Sequence, residues 1–124
     1  MGTVEESEIF GHAFAEVGIS DDGNPLIRQC RIHDGKKFGV SVQQKGQGKI
    51  LDSEIFGHAQ AGVAINKGGA PIIRRCRINR NGAEGIRAHV HALGVVEECD
   101  LGDNAQGPWQ LQAACRLQRS GNKE

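Results

Sequence analysis

The sequence predicts an all-β solenoid, a parallel β-helix of about five 23-residue coils. Three observations predict it. The heptapeptide SEIFGHA occurs at 7–13 and again at 53–59, and cutting the chain at half that spacing gives five segments without insertion or deletion. Aliphatic residues align down the segments: Val4, Ile27, Ile50, Ile73, Val96, and again Ile9, Ile32, Ile55, Ile78, Leu101. A third and fourth column, Val17, Val40, Val63, Ile86, Trp109 and Ile19, Val42, Ile65, Ala88, Leu111, lie two residues apart. That is the spacing of a strand with one buried face. No 3.6-residue periodicity competes with it, and helical repeats need longer units.

Each coil has its own justification. The first, 2–24, opens with Val4 and closes on the strand holding Val17 and Ile19. The second, 25–47, starts at Pro25 and carries RQCRIHDG before Gly39-Val40-Ser41-Val42. The third, 48–70, repeats the SEIFGHA of the first, and the fourth, 71–93, repeats the P-x-I-R-x-C-R-I of the second. The fifth, 94–116, replaces the strand-opening Gly of the earlier coils with Pro108 and follows it with Trp109. Pro removes a ladder donor and Trp can plug a core, so this pair is the expected cap. Residues 1–116 form the expected β-helix domain, and 117–124 the expected tail or cap. Coils stack about 4.8 Å apart, so five make a rod about 24 Å long.

Stacking turns every column into a ladder. Glu8, Arg31, Glu54, Arg77 and Asp100 alternate in sign at each step, and Glu5, Arg28, Leu51, Arg74 and Glu97 nearly do. Opposite charges on neighbouring strands help by about 0.2–1 kcal/mol per pair, and a one-coil slip would put like on like. Acidic and basic coils therefore alternate, which is why the wording repeats every second coil. A further ladder, Ser7, Cys30, Ser53, Cys76 and Cys99, is expected to point inward as structural packing.

Composition narrows the function classes. Fifteen basic residues balance fifteen acidic ones, so nothing draws the chain to nucleic acid or an anionic membrane. No apolar run reaches the ~20 residues of a membrane helix. MGTVEESEIF has no basic and apolar signal pattern, and four Cys without one read as reduced thiols. The expected location is cytoplasmic.

The pattern P-x-I-R-x-C-R-I-H-D-G-x-x-x-G-V-x-V at Pro25–Val42, followed by G-x-I-x-x-x-E-I-F-x-x-A-x-A-G-V-x-I at Gly48–Ile65, resembles right-handed parallel β-helix repeats. It is similar to bacterial repeat proteins and to the repeat half of certain F-box proteins. The resemblance covers residues 2 to about 112. It implies the right-handed fold, and it implies no single activity, since such repeats occur in pectin lyases, epimerases, tailspikes and binding modules. No F-box segment is present, so ligase recruitment does not carry over. Many relatives stack Asn where this chain has Ser7, Cys30, Ser53, Cys76 and Cys99.

Candidate chemistry lies along the ladders. Cys76 and Cys99 fall on adjacent coils, but a zinc site needs four converging ligands. His12 and His58 share a column with Gly35 between them, too far apart for one metal. His89 and His91 form H-x-H on one strand face without an obvious third ligand. Outside the last strand of each coil, Gly18, Ser41, Ala64, Arg87 and Gln110 form one row, and Ser20, Gln43, Asn66, His89 and Gln112 another. Neither row holds a carboxylate, whereas a lyase of this fold gathers several for calcium. Asp21 and Asp22 face Gln44 and Lys45 at one end. The expected ligand-binding residues are therefore Gln43, Asn66, Arg87, His89 and Gln112, with no catalytic residue, metal or cofactor.

The expectation for function is a non-catalytic repeat module. It presents a strand surface to a protein partner or a glycan. The alternative is a carbohydrate-active protein acting on uronate polymers. Self-association as a homodimer through the uncapped first coil is also expected. Both EESE and EECD coils are acidic, which sets like charges against each other in head-to-tail stacking.

Overall fold

The computed structural model describes residues 3–11, 15–19, 24–43, 45–66, 68–89, 91–112 and 115–123. His12, Ser20, Asp21, Asp22 and Gln44 lie outside them. Fifteen short strands fall into three parallel sheets. The first sheet stacks β1 (Thr3–Glu5), β4 (Leu26–Arg28), β7 (Lys49–Leu51), β10 (Ile72–Arg74), β13 (Leu93–Glu97) and β15 (Arg116–Ser120). The second stacks β2 (Glu8–Phe10), β5 (Arg31–His33), β8 (Glu54–Phe56) and β11 (Arg77–Asn79). The third stacks β3 (Ala15–Ile19), β6 (Phe38–Val42), β9 (Val63–Ile65), β12 (Ile86–Ala88) and β14 (Trp109–Leu111). Each pairing is in the 23-residue register: Val4 opposite Ile27, Ile32 opposite Ile55, Val63 opposite Ile86.

The aliphatic columns converge between the sheets. Ile27, Ile32, Ile50, Ile55, Ile73, Ile78, Val40, Val63 and Ile86 are buried in one continuous core. β-branched residues suit this arrangement, because a pleated strand presents them at stiff, well-packed angles. Trp109 is partly buried against the core, and the Arg119 guanidinium lies 5.1 Å from its ring. Pro108 supplies a carbonyl to Ile86 N–H at 3.0 Å. Leu111 is exposed, so the fourth aliphatic column ends before its last member.

The corners between sheets are made by left-handed backbone. Glu6, Gln29, Asp52, Arg75, Glu98 and Gly121 all have φ between 49 and 64 at the turn from the first sheet to the second. Gly11, Asp34, Gly57, Arg80 and Asp103 are left-handed one turn later, with φ between 52 and 80. The amides of Glu6, Gln29, Asp34, Asp52, Arg75, Arg80 and Glu98 are paired to the next rung, as with Asp52 N–H to Arg74 O at 3.1 Å, which holds non-glycine residues in this region.

Residues 117–124, expected as a tail or cap, begin inside a strand. β15 pairs in register with β13, Val95 opposite Gln118, and Lys123 bridges Asp100. The rung beyond the EECD coil thus carries Arg119 and Lys123. The like-charge argument against head-to-tail stacking loses its basis there.

The ladders form. Arg28 and Glu5 are 3.2 Å apart, Arg31 and Glu8 3.2 Å, Arg74 and Glu97 3.0 Å. Arg77 pairs with Glu54 at 3.8 Å, whereas Asp100 turns its Oδ1 to the Gly102 amide at 3.1 Å. Its step of the ladder is therefore made by backbone and not by an ion pair. Cys30, Ser53, Cys76 and Cys99 point inward and are buried, while Ser7 is half-buried with its hydroxyl donating to Glu5 O. An asparagine does end this column: Asn122 Oδ1 accepts from Cys99 N–H at 3.0 Å and its Nδ2 donates to Val96 O.

Candidate binding face on the third sheet

The outward row of the third sheet is partly covered. Ser41 is only 5% exposed and Ala64 1%. Part of the cover is Arg87, whose guanidinium sits 5.6 Å from the Phe38 ring two rungs away. Its Nε donates to Glu84 Oε1 at 3.0 Å, and Glu84 is itself 4% exposed. Two rows free of carboxylate were expected; the adjoining column supplies a buried one. Glu84 opens the turn into β12, three residues before Arg87, and the short i,i+3 reach fixes the guanidinium across the sheet. Sequence reasoning missed Glu84 and Phe38. The signal was their shared column, Phe38, Ala61, Glu84, Gly107, in which one acid stands among small and apolar residues.

Gln43, Asn66, His89 and Gln112 follow the last strand residue of successive rungs. Their amides donate to Ile19 O, Val42 O, Ile65 O and Ala88 O at 2.8–3.0 Å. The first three are half-buried and Gln112 is exposed. The structure thus brings the expected residues together as a ladder with one polar side chain every ~4.8 Å, beside Arg87. His91 does not join them. It occupies a left-handed corner with φ 64 and lines a separate hollow with Gly68, Leu93 and Arg116.

His58 is no ligand either. Gly35 N–H donates to its Nδ1 at 3.1 Å, and its Nε2 donates to Ile32 O at 2.9 Å. That pairing requires the neutral Nε2–H tautomer, locked inside the coil. Its column continues as Asn81 and Asn104, linked by Asn81 Nδ2 to Asn104 Oδ1 at 2.9 Å. An asparagine ladder exists, therefore, at a different turn from the one the repeats suggested.

A further stack lies on the outer face of the second sheet. His33 is sandwiched between Phe10 and Phe56, with centroids 5.2 and 5.0 Å apart and planes within 10°. Its Nδ1 is 2.7 Å from Asp34 Oδ2, and the Arg80 guanidinium caps Phe56 at 5.0 Å.

A profile described as a right handed beta helix region matches residues 1–123. The chain belongs to the right-handed β-helix family. No curated protein matches this β-helix. Among solved structures it is similar to the periplasmic alginate epimerase AlgG, with a TM-score of 0.81 and 13% identity. The match covers 98% of this chain and 39% of the epimerase. A mutant of the same epimerase matches with a TM-score of 0.74, again at 13% identity over 98% of this chain and 39% of that one. The β-helix therefore spans about two fifths of the epimerase's length. The expected cytoplasmic location does not stand, because the enzyme whose fold this chain shares is periplasmic. Buried thiols report packing, not compartment.

Proposed function

We propose that this β-helix is a non-catalytic module that binds an acidic, uronate-type glycan along the outer face of its third sheet. The observation that carries the reading is the fixed Arg87 guanidinium. Glu84 and Phe38 hold it in place, and Nε is its bonded nitrogen among the described residues. A pre-oriented guanidinium matches a carboxylate bidentately at little entropic cost. Gln43, Asn66, His89 and Gln112 add a hydrogen-bonding group per rung, a spacing comparable to one sugar residue. The likeness in fold to an enzyme named for alginate supports the ligand class. Glu84 is committed to Arg87, which argues for binding and against acid–base chemistry at this face.

The test is calorimetric titration with oligouronates and with neutral oligosaccharides of equal length. Oligouronates should bind, and Arg87→Ala should weaken them about tenfold or more, in keeping with the ~1.5–3 kcal/mol of a hydrogen bond to a charged group. Equal binding of neutral sugars, or an unchanged affinity in Arg87→Ala, would overturn the reading and turn attention to a protein partner.

A further inference from the structure

Cys76 and Cys99 occupy equivalent places on adjacent rungs. The residues before them, Arg75 and Glu98, share the same left-handed backbone, φ 53 and 52. Asp100 N–H donates to Cys76 O at 2.9 Å, and Arg75 N–H to Glu97 O at 3.1 Å, so the register is tight on both sides. In such a register matching Cα atoms lie about 4.8 Å apart, within the about 4.4–6.8 Å that a disulfide spans. Both side chains are buried free thiols. The Cys76 thiol donates to Ile50 O at 3.3 Å and the Cys99 thiol to Glu97 O at 3.3 Å. The neighbouring Cys99 thiol pushes Cys76 well up, with burial adding to it, and Cys76 in turn holds Cys99 below the usual thiol range. Cys76 also lines a surface groove of about 420 Å³ together with Asp52, Glu54, Arg75 and Arg77. Between Cys30 and Cys76 the intervening rung carries Ser53, so that pair has no comparable approach.

We propose that Cys76 and Cys99 form an oxidisable pair that a small-molecule disulfide converts into a covalent cross-link between neighbouring rungs. Opening of the corner at the groove, whose wall carries Glu98 and Asp100 on either side of Cys99, admits the oxidant. The Cys99 thiolate attacks one sulfur of the disulfide, forming a mixed disulfide and releasing one thiolate. Cys76 then gives up its proton, attacks the Cys99 sulfur and expels the second thiolate. Two protein thiols are oxidised, one external disulfide is reduced, and the two thiol protons end on the two released thiols. The cross-link closes a loop of one coil and pins the corner that carries the charged groove.

The experiment uses the full chain with Cys115→Ser, which removes the partly exposed thiol of the four. The folded protein is incubated with oxidised glutathione, alkylated, digested and mapped by mass spectrometry. The expected product is a peptide pair joining residues 76 and 99, with the loss of two hydrogens. Two of the three remaining thiols become unreactive, and dithiothreitol restores both. Cys76→Ser should stall as a glutathione adduct on Cys99. Free alkylation of both residues after oxidation, or separate glutathione adducts without a link, would overturn the proposal. If Cys76→Ser does not fold, the peptide map of the first protein decides alone.

Discussion

His58 stands in a column whose later rungs carry Asn81 and Asn104, and it is 2% exposed. Its two ring nitrogens satisfy one backbone donor and one backbone acceptor, Gly35 N–H and Ile32 O. Removing the ring leaves both unpaired in the interior, and each such group costs about 1–3 kcal/mol. His58→Ala should therefore destabilise the fold by about 3 kcal/mol in urea unfolding. His58→Asn supplies a carbonyl and an amide, as Asn81 and Asn104 do, and should cost less than half of that. Equal losses in the two variants would show that the ring's volume, and not its hydrogen bonds, holds this turn.

At the scale of the strand and its corner, the Asp52–Arg75 pair joins consecutive rungs at 2.8 Å. The Arg75 hydrogen bond holds Asp52 below the usual aspartate range against an opposing desolvation, with the charges of Arg75 and Arg28 adding to it. A folded value below the unfolded one gives stability that is present near neutral pH. It is lost as pH falls through the folded value. Asp52→Asn should lower stability at pH 7 and flatten its dependence below the ordinary aspartate range, a contrast that acid-unfolding curves measure directly. The sequence made such ladders legible because the 23-residue period runs without a break. Corners were harder to see. Glu6, Gln29, Asp52, Arg75 and Glu98 adopt left-handed backbone with no glycine to announce it, since the next rung's hydrogen bonds impose it. β15 escaped notice because Arg119 stands where Val96 and Ile73 stood in the aliphatic column. Asn122 and Lys123 kept their own columns, and those two were the available signal. Glu84 became visible as part of a site only when Arg87 reached back to it.

At the scale of the whole molecule, each rung touches its immediate neighbours and little else, because pairing partners are always 23 residues apart. Stability in such a stack approximates a sum of rung terms and nearest-neighbour interfaces. A lesion in the middle should then weaken two interfaces and fade along the axis. Ile55 is fully buried between Ile32 and Ile78 in the second sheet. Ile55→Ala should cost about 2–5 kcal/mol, as buried large-to-small changes do. Hydrogen exchange shows where that cost falls. The amides of Glu54 and Arg77, which donate to Cys30 O and Ser53 O, should exchange much faster in the variant. Glu98 N–H, which donates to Ser120 O on a rung farther along, should change least. A uniform acceleration across all these amides would mean that the rungs open together, and that the alternating charge ladders couple the solenoid into a single cooperative unit.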